Sequence, residues 1–351
     1  MPTTQEIVPI ERAKPPYFFG VDVGGTNIKI GLVDDSGATL DFQEIETDEP
    51  AGPQQAVDRI AQTCQKIIQR SAATRDLIKR IGLGTPGTMD IPRGLFLEPP
   101  NLPNWHHFPI RDAVAAACEM PVSFINDANA ASFGEFWVGT GAKVESLILL
   151  TLGTGVGGGI IVEGHLINGV NSFGSECGHI IVDSRPDARL CVWGGGRGQL
   201  EAYASASALA QYAEQRLNEG AVTSLTRLAM AGKAITAKRV YEAAETGDEF
   251  ALSLVDETAF YLGIGITTLV HTIDPGLVVL GGAMNFGGLK SPVGRRFLQK
   301  VREVFAERTF PNVLAGTKID FASLGGDAGY VGAAGFARKQ FLLERNNAHV
   351  G

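Results

Sequence analysis

Apolar and polar positions alternate most tellingly near the start of the chain. Phe18, Phe19, Val21 and Val23 run into Gly24-Gly25-Thr26-Asn27, and β-branched residues resume at Ile28, Ile30 and Val33. The pattern predicts a strand, a tight turn and a second strand. Leu147 to Val162 repeats it: an apolar run, then Gly153-Thr154-Gly155, then Ile160, Ile161 and Val162. Polar turns come after both copies, Asp34-Asp35-Ser36-Gly37 and Glu163-Gly164. A third strand is expected after each, at Ala38 to Thr47 in the first copy and ending at His179 to Asp183 in the second.

Between and beyond the copies the period lengthens. Val57, Ile60, Ala61, Cys64, Ile67 and Ile68 recur on one helical face, which makes Cys64 a core residue. Ile78 to Gly84 reads as a strand, Ile110 to Cys118 as a helix after Pro109, and Val122 to Ile125 as a strand feeding a helix from Asn126-Asp127 to Trp137. A glycine-laden loop spans Cys191 to Gly198, and alanine-rich helix begins at Gln199. Phe250 to His271 forms a long helix in which Gly263 and Gly265 permit close packing. Leu277 to Leu280 is a strand closed by Gly281-Gly282, Thr317 to Phe321 the last strand, and Ala328 to Glu344 a terminal helix.

Strands alternating with helices after each opening meander predict an α/β protein of two layered domains. Their glycine turns would face each other across a cleft and clamp a phosphate chain, because glycine lets backbone N–H groups approach an anion closely. The expected division is an N-terminal arm over residues 1–16, a smaller domain over 17–126 plus 328–351, and a larger one over 127–327. Gly153, Gly155 and Gly158 have the spacing of a dinucleotide fingerprint, but a β-branched strand comes next where that motif needs a helix. Gly232-Lys233-Ala234 lacks the first glycine and the hydroxyl of a P-loop.

With 351 residues, 44% of them hydrophobic, the chain is long enough for two cores. Its net charge of −8 argues against sequence-independent nucleic-acid binding, so a bound polyanion would rely on backbone N–H groups, a few cations and a divalent metal. Four cysteines without a C-x-x-C pair suit a reducing cytoplasm. The N-terminal stretch carries acids and prolines where a signal peptide would have an apolar core, and the longest uncharged run, Ser146 to Val162, reads as strand rather than membrane span.

Seven segments now stand in order: DVGGTN at Asp22, PGTMD at Pro86, NLPNW at Asn101, NDANAA at Asn126, LGTGVGGGI at Leu152, GSECGH at Gly174 and LEAYAS at Leu200. Together they resemble the ROK family of repressors, open reading frames and kinases, and within it the bacterial glucokinases. The resemblance implies an actin-like (ribonuclease H-like) ATPase fold, a homodimer, and ATP-dependent phosphorylation of a hexose, glucose first, at its 6-hydroxyl. Asp127 matches the family's catalytic base, although an Asp at a helix start is by itself an ordinary cap. Gly87, Asn101, Asn126, Asp127 itself, Glu176, His179 and Glu201 would line the sugar site. Asp22 would orient Mg2+ through water, Gly24, Gly25, Thr26, Asn27, Thr154 and Gly155 would hold phosphates, and Gly281 and Gly282 would lie along the adenosine. Lys29 is either a phosphate contact or an outward strand residue.

The family's zinc pattern is broken. Of its ligands only His179 and Cys191 remain, with Trp193 at or near the second cysteine position and Gln199 at the third, so no structural zinc is expected. Cys177 is expected to be buried packing. The loop would then be fixed otherwise, by Trp193 burying its ring and Arg197 pairing with an acid. Competing functions are a polyphosphate-using glucokinase, a kinase for mannose, fructose or an N-acetylhexosamine, and a sugar-responsive regulator. The last would carry a helix-turn-helix before the first hairpin, where only a short arm stands.

Overall fold

A computed structural model describes residues 5–99, 101–192 and 195–348. In chain order the strands are β1 (Tyr17–Val23), β2 (Asn27–Val33), β3 (Thr39–Glu46), β4 (Ile78–Thr85), β5 (Met89–Asp90), β6 (Leu95–Phe96), β7 (Val122–Asn126), β8 (Leu147–Leu152), β9 (Val156–Val162), β10 (His165–Leu166), β11 (Leu277–Gly281) and β12 (Lys318–Phe321). The helices are α1 (Pro53–Ser71), α2 (Ile110–Cys118), α3 (Asp127–Trp137), α4 (Glu201–Ala204), α5 (Ala206–Asn218), α6 (Thr226–Met230), α7 (Ala237–Glu245), α8 (Glu249–Ile273), α9 (Pro292–Arg308), α10 (Pro311–Gly316) and α11 (Ala328–Ala348).

The chain divides into two compact units, one of Met1–Lys143, Leu166–Gly174 and Ser323–Gly351, the other of Val144–His165 and Ser175–Ala322. The expected division after residue 126 differs from this one for a packing reason. Helix α3 lies against α11 so closely that a Cβ on Gly332 would stand 1.7 Å from the Ala130 carbonyl oxygen, which keeps both helices in the first unit.

Each unit is built on a five-stranded sheet of the same design. The first has the order β3-β2-β1-β4-β7 and the second β10-β9-β8-β11-β12. In each, an antiparallel hairpin is extended by two parallel strands on one side and by the next meander strand, β3 or β10, on the other. The duplication legible in the two glycine hairpins is therefore a duplication of sheet topology. The third strand of the second meander differs from expectation: it is the two-residue β10, whereas Cys177–His179 form a 3-10 turn and Ile181 makes only an isolated bridge to Gln199.

Strand alternation sorts β1 between two cores. Tyr17, Phe19, Val21 and Val23 join Val57, Ile60, Cys64 and Ile67 of α1 in one cluster, with Cys64 2% exposed, while Phe18 packs with Tyr330, Val331 and Ala334 of α11. Asp22 therefore lies on the α11 face of the sheet, and so does Lys29, its register partner on β2. In the second unit α8 is buried through Leu254, Val255, Ala259, Leu262 and Ile266 against α9 and the sheet. A Cβ on Gly263 would meet Val304 of α9 at 2.7 Å, so that glycine serves packing as expected. By length and composition α8 could cross a bilayer, but 56% of its apolar stretch is buried within the protein.

Candidate functional site

In the first unit β1, β4 and β7 run parallel and adjacent, so the turns and loops leaving their carboxyl ends collect along one sheet edge. The turn after β1 closes through Gly24 N donating to the Asn27 carbonyl at 2.9 Å, and it is pinned from β3's end by Thr47 Oγ1 donating to the Gly24 carbonyl at 2.6 Å. Gly25 and Thr26 remain exposed at its tip. Asn101 is beside them: a Cβ on Gly25 would lie 3.2 Å from Asn101 Cβ. Gly87, in the loop after β4, has φ +80°, a conformation that favours glycine.

After β7 comes the helix start that carries Asp127. The cap is Asn126, whose Oδ1 accepts from Ala128 N at 2.9 Å and Asn129 N at 3.4 Å. Its oxygen is spent there, which leaves the amide N–H2 as the part that can meet a ligand. Asp127 is thus the first helical residue rather than the cap. Its Oδ1 accepts from Ala128 N at 2.8 Å, and the residue is half-buried.

Asp22 sits beside the first turn of α11, where a Cβ on Gly329 would come within 2.2 Å of its Oδ2. Burial pushes its carboxyl up to about 6, offset in part by the Lys29 ammonium. A carboxylate stripped of solvation in this way suits a hydrated cation, and Mg2+ characteristically takes one or two protein carboxylates, with water and substrate phosphates completing its octahedron. Lys29 donates from its Nζ to the Gly326 carbonyl in the turn that leads into α11.

In the second unit β8 and β11 are parallel neighbours, with Gly281 opposite Thr151, so the turn after β8 and the glycine pair share an edge. Gly153 N donates to the Gly155 carbonyl at 3.0 Å, and Ala206 N, opening α5, donates to the Gly153 carbonyl at 2.8 Å, with Thr154 exposed at the tip. Beside it lies a cavity of about 460 Å³ that begins at Gly153 and Thr154 and has walls from Ala206, Tyr241, Met284 and Phe286. Thr236, Ala237 and Lys238 also line it. Gly281 and Gly282 stand just before this wall, which starts at Ala283, and Gly282 has φ +90°. Sequence reading missed α7 and with it Thr236, Lys238 and Tyr241. The usable signal was Thr236, whose hydroxyl caps the helix by accepting from Arg239 N at 3.3 Å, ahead of apolar Val240, Ala243 and Ala244.

The remaining second-unit residues form a polar group. Glu201, 5% exposed, has both oxygens engaged: Oε2 accepts from Val156 N at 2.8 Å and Oε1 from Cys191 Sγ at 3.1 Å. Glu176 and His179 are about half accessible, at 49% and 43% of their side chains, with Oε2 and Nε2 3.9 Å apart. The Glu176 carboxyl is raised, chiefly by burial and further by the Glu201 charge, against a lowering by His179. His179 Nδ1 meets Gln199 Oε1 at 3.1 Å.

Zinc does not fit this loop. Cys191 is turned to Glu201, and Cys177 is 1% exposed with its thiol pushed up to about 12 by burial and by Glu176, so neither favours a thiolate ligand. No set of three His, Cys, Asp or Glu side chains poised for a metal occurs among the described residues. The expected ion pair of Arg197 is replaced by a bond from its Nη1 to the Ala188 carbonyl at 3.0 Å. Trp193 lies outside the described residues.

A glucokinase from Halalkalibacterium halodurans is 35% identical over 324 residues, 92% of this chain and 96% of its own. The crystal structure of a ROK hexokinase from Thermus thermophilus matches with a TM-score of 0.79 and 30% identity, covering 93% of this chain and 99% of that one. A ROK glucokinase from Streptomyces griseus, solved with glucose and AMPPNP, matches at TM-score 0.69 and 33% identity over 92% and 99% of the two chains. The ROK family itself matches residues 18–340, a span that takes in both sheets and each loop described above. With its actin-like ATPase fold, the chain belongs to the ROK family.

Proposed function

We propose that this protein is an ATP-dependent glucokinase, a soluble cytoplasmic enzyme that moves the γ-phosphate of ATP to the 6-hydroxyl of glucose. The observation that carries the reading is the start of α3, where Asn126 supplies the cap and the half-buried Asp127 stands as the first helical residue at the carboxyl end of β7. Asp127 takes the proton of the 6-hydroxyl as that oxygen attacks the γ-phosphorus, while the bond to the bridging oxygen of ADP breaks. The side chains proposed to bind sugar hydroxyls are Asn101 and the Asn126 amide in the first unit, which also carries the Gly87 loop, and Glu176, His179 and Glu201 in the second. The exposed turn tips at Gly25-Thr26 and at Thr154 offer backbone N–H groups to the phosphates. Asp22 is the residue that would hold Mg2+ through water, and the ion supplies charge neutralisation on the phosphates when bound. Lys29 acts through Gly326 rather than on phosphate directly.

The cavity beside Thr154 is of a size and apolar character that suits a purine base, which favours a nucleotide over a bare polyphosphate as donor. Filling it with Ala237→Trp is expected to raise the KM for ATP by roughly tenfold, about 1.4 kcal/mol, and to leave the KM for glucose unchanged. Steady-state kinetics in both substrates checks this, and an unaltered ATP KM would remove the cavity from the nucleotide site. A coupled assay over glucose, mannose, fructose and N-acetylglucosamine, with ATP and polyphosphate compared, tests substrate and donor. Glucose with ATP is expected to give the highest kcat/KM.

The raised carboxyl of Glu176 sets a pH dependence. As an acceptor for sugar hydroxyls it works ionised, and protonation begins above the ordinary glutamate range, so the KM for glucose is expected to rise as pH falls through that window. Glu176→Gln is expected to raise the KM at pH 8 and flatten this acid limb. A wild-type KM that stays flat down to pH 5 would contradict the role.

A further inference from the structure

We infer that Gln199 is the positioning residue of the sugar site: it fixes the tautomer of His179, so that Nε2 and the Glu176 carboxylate act as paired acceptors for two neighbouring hydroxyls. The inference rests on the hexose reading above and deepens it. The His179 side chain is 43% exposed, and a ring this open is free to rotate and to exchange tautomers unless a partner decides. That partner is Gln199, whose Oε1 lies 3.1 Å from Nδ1. An amide oxygen can only accept, so Nδ1 carries the proton and Nε2 presents a lone pair.

The carboxamide is itself held in place. A Cβ on Gly195 would stand 2.5 Å from Gln199 Oε1 and displace it, and one on Gly196 would lie 3.5 Å from its Nε2, so the amide packs on this glycine backbone. The Gln199 backbone is anchored as well, through its bridge to Ile181, through Leu200 N donating to the Ile180 carbonyl at 2.9 Å, and through Ala202 N donating to its own carbonyl at 3.0 Å. These bonds tie Gln199 to the segment just after His179, so ring and amide move together.

The geometry on the other side of the ring completes the argument. Nε2 and Glu176 Oε2 are 3.9 Å apart, too far for a hydrogen bond and close enough for two adjacent hydroxyls to donate one to each. In the opposite tautomer Nε2–H would turn toward Glu176 and close the pair. Gln199 thereby selects vicinal hydroxyls as donors, a task that in this chain falls to an amide, since the cysteines nearby are committed elsewhere.

Long-range 1H–15N spectra of the histidine side chains, recorded on the full chain without sugar, test the inference. Assignment comes from the signal lost in His179→Asn. The wild type is expected to show the Nδ1–H tautomer. Gln199→Met, of similar length without an acceptor, is expected to mix the tautomers and raise the KM for glucose by roughly tenfold, with the KM for ATP unchanged. Gly195→Ala, which crowds the amide while leaving Gln199 in place, is expected to do the same. Gln199→Glu retains the acceptor and is expected to restore tautomer and KM to within about threefold. An Nε2–H tautomer in the wild type, or a Gln199→Met or Gly195→Ala protein with wild-type tautomer and glucose KM, would overturn the inference. Failure of the wild type to phosphorylate any hexose would defeat the kinase reading instead, while the spectra would still report on the bond from His179 to Gln199.

Discussion

Asp127→Asn is expected to lower kcat for glucose phosphorylation by about 10²–10⁴-fold, with little change in the KM for either substrate and no loss of thermal stability. The size reflects removal of a positioned general base while phosphate alignment and charge neutralisation stay intact. The unchanged stability reflects the structure of the helix start. Asn126 holds the cap through Ala128 N and Asn129 N, and the Asn side chain at 127 can still accept from Ala128 N. Asp127 as a mere cap would give the reverse pattern: a lower unfolding midpoint and near-normal turnover. Coupled-assay kinetics together with a thermal melt separate the two, and kcat within threefold of wild type would remove Asp127 from the chemistry.

Glu135→Ala is expected to destabilise the first unit by on the order of 3–5 kcal/mol, a fall of roughly 10 °C in its melting midpoint. The carboxylate is 0% exposed and accepts four bonds: Oε1 from Ser323 N at 2.9 Å and Leu324 N at 2.7 Å, Oε2 from Thr140 N at 2.8 Å and Ser323 Oγ at 3.0 Å. It fastens the loop that carries the chain back into the first unit just before α11. Removing it strands buried donors, each costing about 1–3 kcal/mol if nothing replaces the acceptor. Glu135→Gln keeps an acceptor for Ser323 N and Leu324 N and is expected to cost roughly half as much. Calorimetric or circular-dichroism melts of both variants check the ranking. A loss below 1 kcal/mol in Glu135→Ala would mean that water replaces the carboxylate and the clamp contributes little.

Much of the fold was legible because alternation and glycine placement agree. The runs Phe18 to Val33 and Leu147 to Val162 carry strand-type alternation broken only at their turns, and both became hairpins. Helix α1 could be placed from apolar spacing, and α2, α3 and α8 fall close to where the sequence reading put them. The hidden elements depended on partners far along the chain. The stretch from His179 to Asp183 has the composition of a strand, yet among the described residues it forms a single bridge, at Ile181, whereas the third strand is the short His165–Leu166. The break between α4 and α5 rests on one hydroxyl, Ser205 Oγ, which accepts from Ala208 N at 3.1 Å.

The site shows the same limit. Asp127 could be named from sequence but not separated from a cap, because which of Asn126 and Asp127 serves α3 is a matter of backbone geometry. Lys29 pairs in register with Asp22, and its contact with Gly326 joins residues from opposite ends of the chain. Gln199 was visible only as a departure from a cysteine pattern. Its bond to His179 and its bed of Gly195 and Gly196 required the folded loop. The cavity beside Thr154 draws on α7 and the stretch after β11, two segments that share no motif.

The central claim is tested most directly by 31P NMR of the purified protein incubated with glucose, ATP and Mg2+, with the products quantified as they form. Glucose 6-phosphate and ADP are expected in equal amounts, with neither accumulating when glucose is withheld. Release of inorganic phosphate without a sugar phosphate, or phosphorylation at any position other than the 6-hydroxyl, would contradict the account.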